Sequence, residues 1–140
     1  MTKKRIFVTG ASGCIGHYLS EALIQETNHE LYLLVRNPEK LKIDTQVRPG
    51  VTVLQGDMQR IQHFADLLKT INVAVLTATA WGGAATFDIN VVKTLELLSY
   101  LDPAICEQVI YFSTASVLDS NNQPLKEAGE LGTDYIRSKY

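Results

Sequence analysis

Two side chains near the end of the sequence are spaced to share a proton. Tyr135 and Lys139, in Tyr135-Ile136-Arg137-Ser138-Lys139, stand four residues apart, so a helix brings both to one face. A phenol titrates at about 10 and is a poor base at neutral pH, but an ammonium ion within several ångströms favours the phenolate and lowers that value. Such a pair can exchange a proton with an oxygen whose carbon is changing oxidation state. By itself the spacing is common on solvated helices, so its weight depends on the rest of the chain.

A second constellation lies near the start. Thr9-Gly10-Ala11-Ser12-Gly13-Cys14-Ile15-Gly16 leaves an apolar run and opens a segment of helical period. Glycines at 10, 13 and 16 suit three tasks: a tight turn, a close backbone approach to a diphosphate, and close helix–strand packing. A helix amino terminus following them offers free N–H groups and a partial positive charge. The candidate contacts are Gly10, Ser12, Gly13, Cys14, Ile15 and Gly16. The spacing Gly-x-x-Gly-x-x-Gly differs from the general Gly-x-Gly-x-x-Gly fingerprint, and no Gly-Lys-Ser/Thr follows as a P-loop requires. A tight turn without a ligand is the alternative; three glycines in the first turn of an alternating chain favour a bound dinucleotide.

Arg36 stands about 20 residues beyond the loop, where an acidic side chain would bond a ribose 2′-hydroxyl and a cationic one a 2′-phosphate. A planar guanidinium suits the phosphate. The cofactor expected is therefore NADP(H), with NAD(H) less favoured; an ordinary solvated arginine is the alternative. Lys40 adds charge nearby.

Positioning these groups falls to alternating elements. The apolar runs Arg5–Thr9, Leu31–Val35, Val51–Gln55, Val73–Thr77 and Val109–Ser113 are unbroken, as in strands covered on both faces. Between them Ile15, Leu19, Ala22 and Leu23 form one helical stripe, Ile61, Phe64, Ala65 and Leu68 another, and Val91, Leu95 and Leu98 a third. This alternation predicts an α/β fold, a Rossmann-type three-layer sandwich with a parallel doubly wound sheet in the order 3-2-1-4-5. The polar stretch Asp119–Gly132 follows a strand's carboxyl end and is a candidate active-site loop.

A chain of 140 residues, 46% hydrophobic and 20% charged, suits one dinucleotide-binding domain over residues 1–140 and leaves no room for a separate substrate domain. It reaches Tyr140 just inside a helix, which reads as a truncation or fragment. A net charge of −2 and the short run Lys3-Lys4-Arg5 exclude a nucleic-acid partner. Cys14 and Cys106 fit no metal spacing and read as reduced thiols. The apolar stretch Val73–Trp81 falls short of the roughly 20 residues of a membrane span, and no secretory run precedes Ile6. The expected location is the cytoplasm.

In this order, Thr9–Gly16, Val35-Arg36-Asn37-Pro38, Tyr111-Phe112-Ser113-Thr114-Ala115-Ser116-Val117 and Tyr135–Lys139 resemble the short-chain dehydrogenase/reductase family in its extended, epimerase/dehydratase form. The resemblance covers nearly the whole chain. It implies that Thr114 donates a hydrogen bond to the substrate oxygen, with Ser116 the alternative hydroxyl, and that Ser113 lies beside the nicotinamide. Tyr135 and Lys139 become the catalytic pair, Lys139 also holding the nicotinamide ribose. Asp57 and Met58 would contact the adenine, although a turn role for Asp57 competes. Thr77, Ala78 and Thr79 would lie along the dinucleotide, two threonines departing from the usual histidine or alanine; Leu118-Asp119 likewise replaces Tyr-Gly. Asn90 is either a helix-to-strand brace or a catalytic group.

The implied reaction is hydride transfer between NADP(H) and a carbonyl or secondary alcohol, with net reduction, epimerisation or dehydration as the outcome. A small carbonyl, alcohol or nucleotide-sugar substrate is the expected partner, and a homodimer is the one assembly kept open. The activity is expected of the full-length protein, and the 140 residues alone are expected to be inactive. Two rivals stand beside this reading: a non-catalytic NADP(H)-binding regulator, and an inert nucleotide-binding truncation product.

Overall fold

A computed structural model describes residues 2–80, 85–114, 118, 121–123 and 134–139, and of residues 85 and 134–136 the backbone only. Five strands, β1 (Arg5–Thr9), β2 (Glu30–Val35), β3 (Val51–Gln55), β4 (Val73–Leu76) and β5 (Gln108–Tyr111), form one sheet in the order β3-β2-β1-β4-β5. Every pairing is parallel. The helices are α1 (Cys14–Glu26), α2 (Ala65–Leu68), α3 (Ala85–Phe87), α4 (Thr94–Tyr100) and α5 (Asp134–Lys139). A 3-10 segment, Met58–Phe64, leads into α2, and a π-helical turn, Asp88–Lys93, joins α3 to α4. The expected sheet order and fold class are those observed. No helix among the described residues is long and apolar enough to cross a membrane.

Strand periodicity divides the core into two layers. Ile6, Val8, Leu31, Leu33 and Val75 turn to one face, where Ile24 of α1 covers them. Phe7, Leu34, Ala74 and Leu76 turn to the other, beneath Ile61, Leu68, Ile71 and Leu97. Burial on both faces holds for the central strands β1 and β4 but fails at the edges. All four residues of β5 are exposed, and β3 is mixed. An apolar run therefore does not distinguish a central strand from an edge strand.

Two helical stripes need correction. On α1 the buried residues are Gly16, Ser20 and Ile24, whereas Ile15 is 50% exposed because the first turn stands at the end of the sheet rather than over it. On α4 the buried residue is Leu97, and Leu95 is 61% exposed. The π turn explains this second shift: one extra residue in a turn rotates all later side chains by about 100° against a regular helix.

The last turn of α1 contains no basic residue. Arg48, from the loop before β3, reaches the carbonyl of Ile24 in that turn and two further carbonyls outside the helix. The guanidinium donates to Ile24 O at 2.9 Å, His29 O at 2.8 Å and Pro49 O at 2.8 Å. Such a cation at a helix carboxyl end complements the dipole and satisfies orphan acceptors. Arg48→Ala is expected to lower stability by ~2 kcal/mol, read as a fall in the urea midpoint at unchanged slope.

Candidate functional site

Because every strand runs the same way, the five carboxyl ends share one edge of the sheet. The glycine loop leaves β1, Arg36 follows β2, Gly56-Asp57 follows β3, Thr77–Ala80 follows β4, and Phe112–Thr114 follows β5. The chain winds outward from β1 to β3 and then returns to β4 on the other side. The crevice between the ends of β1 and β4 is thus the topological switch point, where open α/β sheets take their ligands.

The three glycines of the loop do different work there. Gly10 has φ +66°, and a Cβ on it would stand 2.8 Å from Ala78 N. On Gly16 a Cβ would meet Gly10 O at 2.0 Å. Both are required by the fold itself. Gly13 has φ −75°, which any residue adopts, and its Cβ would meet only Gly10 O, at 3.3 Å. The space that a side chain at Gly13 would fill is thus left open on an exposed turn at the head of α1. That head carries no side-chain cap and no acidic residue in its first turn. An unfilled cradle below an uncapped helix terminus fits a diphosphate.

Around this cradle the expected contacts separate into groups. Cys14 and Ile15 are exposed, Cys14 as a free thiol, and Ser12 is partly buried. Arg36 and Lys40 are exposed beyond β2. Asp57 accepts from Gln59 N at 3.0 Å and so caps the 3-10 segment, while Met58 is 7% exposed and packs into the core. Thr77 is a stitch: its hydroxyl donates to Thr9 O and, at 3.2 Å, to Gly10 O. Thr9 returns the contact by accepting from Ala78 N at 3.2 Å. The threonine at 77 therefore locks β1 to β4 beside the crevice. Thr79 is partly buried.

At the β5 end of the edge, α5 lies against the strand. Lys139 is 6% exposed; its ammonium donates to Phe112 O at 3.0 Å and stands 4.4 Å over the ring of Tyr111. Burial pushes its pKa below the ordinary lysine value. Ser113 Oγ donates to Lys139 O at 3.5 Å, and Thr114 is partly buried in the next position. Tyr135 lies on α5 one turn before Lys139, the i, i+4 relation expected of the pair, but its phenol lies outside the described residues. So do Ser116 and, apart from Asn121–Gln123, the loop Asp119–Gly132.

Asn90 joins the two halves of the edge. It is buried in the π turn; its Oδ1 accepts from Ala80 N at 2.9 Å, and its Nδ2 donates to Ala80 O at 2.9 Å and to Ser138 Oγ at 2.8 Å. These bonds make it a brace between the crevice and α5. Sequence reasoning did not single out Ser138 or Tyr111; the only signal for Ser138 was its position inside Tyr-x-x-x-Lys.

A parallel sheet in this order, with a glycine loop at its switch point, is the Rossmann architecture. The chain belongs to the NAD dependent epimerase/dehydratase family, whose sequence model matches residues 6–140. It is 33% identical over 100 residues to an isoflavone reductase homolog of Nicotiana tabacum, covering 67% of this chain and 31% of that protein. To a phenylcoumaran benzylic ether reductase of Ginkgo biloba it is 29% identical over 103 residues, covering 69% of this chain and 32% of the other. The chain thus spans about a third of the length of these relatives. Among solved structures, the terminal R domain of the myxalamid biosynthetic pathway superposes with a TM-score of 0.80 at 22% identity, over 99% of this chain and 44% of that one. A dTDP-glucose 4,6-dehydratase of Streptomyces venezuelae with NAD and TYD bound gives 0.78 at 23% identity, over 96% and 48%. These likenesses extend to the fold.

Proposed function

We propose that residues 1–140 are the dinucleotide-binding part of an NADP(H)-dependent oxidoreductase acting on a small carbonyl compound or secondary alcohol. The observation that carries this reading is the open cradle at Gly13, below the uncapped head of α1, at the switch point of the sheet. Gly10, Gly13 and Gly16 with the first-turn N–H groups of α1 hold the diphosphate, with Ser12, Cys14 and Ile15 at its margin. Asp57 and Met58 flank the adenine end, Thr77–Thr79 border the crevice, and Arg36 pairs with the 2′-phosphate. When bound, the cofactor supplies or accepts hydride. Thr114 orients the substrate oxygen, Tyr135 exchanges a proton with it, and Lys139 holds the ribose and favours the phenolate, with Ser113 beside them.

The reductase names of the sequence relatives support net reduction rather than epimerisation. A nucleotide-sugar substrate is the second reading, favoured by the dehydratase solved with NAD and TYD. A non-catalytic regulator suits Val35–Pro38 but gives no reason for a buried lysine whose ammonium ion is held at Phe112 O at the end of β5. Exposed Phe87, Val92 and Leu95 along α3–α4 support a homodimer, and the free thiols support a reducing, cytoplasmic setting.

Titrating NADPH and NADH into the wild type and Arg36→Ala tests the cofactor assignment. The wild type is expected to prefer NADPH by ~10- to 100-fold, and the variant to lose that preference. An equal preference in both proteins would remove Arg36 from the site.

A further inference from the structure

We infer that Tyr111 is a positioning residue for Lys139, its ring serving as the seat on which the ammonium ion is held toward the crevice. The inference rests on the proposed role of Lys139 in the site. Tyr111 ends β5, and Lys139 belongs to α5, far along the chain. The Lys139 Nζ lies 4.4 Å over the Tyr111 ring and donates to the carbonyl of the adjacent Phe112 at 3.0 Å.

An ammonium ion taken out of water loses its hydration and must be compensated. One carbonyl compensates one of its donors. The face of an aromatic ring carries negative charge and attracts the cation as a whole, at a separation below about 6 Å. That contact consumes none of the N–H donors, so they stay available to hydroxyls of a ligand. Ring and carbonyl belong to consecutive residues, so the end of one strand sets the ion's position in two directions. Tyr111 is 39% exposed on an edge strand whose Val109 and Ile110 are exposed as well. Any aromatic side chain fills the role, whereas an aliphatic one of similar size does not.

The test compares the wild type, Tyr111→Phe and Tyr111→Leu, each labelled with ¹³C-lysine. The Lys139 Cε–Hε cross-peak is assigned by its loss in Lys139→Arg. A ring beneath the ammonium shifts that cross-peak upfield of the other lysines. The shift is expected in the wild type and Tyr111→Phe and is expected to vanish in Tyr111→Leu. The dissociation constant for NADPH should rise about tenfold in Tyr111→Leu and stay within about twofold of wild type in Tyr111→Phe.

A Lys139 cross-peak at the same position in wild type and Tyr111→Leu would overturn the inference. Equal loss of affinity in both variants, with far-UV circular dichroism unchanged, would overturn it too. Should Tyr111→Leu fail to fold, an unshifted cross-peak in the wild type or in Tyr111→Phe counts against the inference, and a shifted one in both supports it. A wild type that binds neither NADPH nor NADH would instead sink the proposed function, while the cross-peaks still decide whether the ring seats the lysine.

Discussion

Gly13→Val is expected to weaken dinucleotide binding by at least ~100-fold while leaving the domain folded. The backbone at Gly13 is extended, so valine adopts it without strain, and the added Cβ meets only Gly10 O at 3.3 Å. What the isopropyl group does fill is the space through which a diphosphate would reach the head of α1. The hydrogen bonds from Gly13 N to Gly10 O and from His17 N to Gly13 O involve backbone alone and survive the change. Gly16→Ala should behave in the opposite way. Its Cβ would fall 2.0 Å from Gly10 O, so helix and loop must separate, with a loss of ~1–3 kcal/mol. Thermal unfolding with and without NADPH separates the two effects. The Gly13 variant should keep its midpoint but lose the ligand-induced rise, and the Gly16 variant should melt early. A Gly13→Val protein that kept both fold and affinity would reduce the loop to a turn.

In the full-length protein, Tyr135→Phe is expected to lower turnover by ~10²- to 10⁴-fold, the range for loss of a positioned proton donor, with NADPH affinity within about twofold of wild type. The substitution removes one hydroxyl and keeps the ring. The backbone of α5 sets Tyr135 one turn from Lys139, and Lys139 is seated independently by Phe112 and Tyr111. Cofactor binding should therefore be insensitive to the lost hydroxyl, and the effect should appear in kcat rather than in the dissociation constant. Unchanged kcat would exclude Tyr135 as the proton donor. Loss of affinity in step with kcat would make it a structural residue.

The sheet was legible because its signal is local. Unbroken apolar runs located β1 and β3 to the residue, and strand–helix alternation sufficed for the order of the strands. Helix phase was less legible. Leu95 occupied a position that a regular helix would bury, yet the π turn exposes it and buries Leu97. In the glycine loop, residue types pointed to a diphosphate, but only interatomic distances separate Gly10 and Gly16, which the fold needs, from Gly13, which it does not. Thr77 resembled a ligand contact because small polar residues border such sites. Its hydroxyl bonds the backbone of residues 67 and 68 positions earlier, a contact that no local pattern announces. The clasp from Asn90 to Ser138, 48 residues apart, leaves no periodic trace at all.

The π turn makes Asp88–Lys93 the stretch in which this helix can best absorb a change of length. In a regular helix a one-residue deletion rotates every later side chain by about 100°. Here a deletion before Thr94 would close the wide turn to an ordinary one and leave Leu97 facing the core. The residue at risk is Asn90, whose amide ties the turn to Ala80 and Ser138. Length is thus the cheaper variable in this turn, and the asparagine the dearer one.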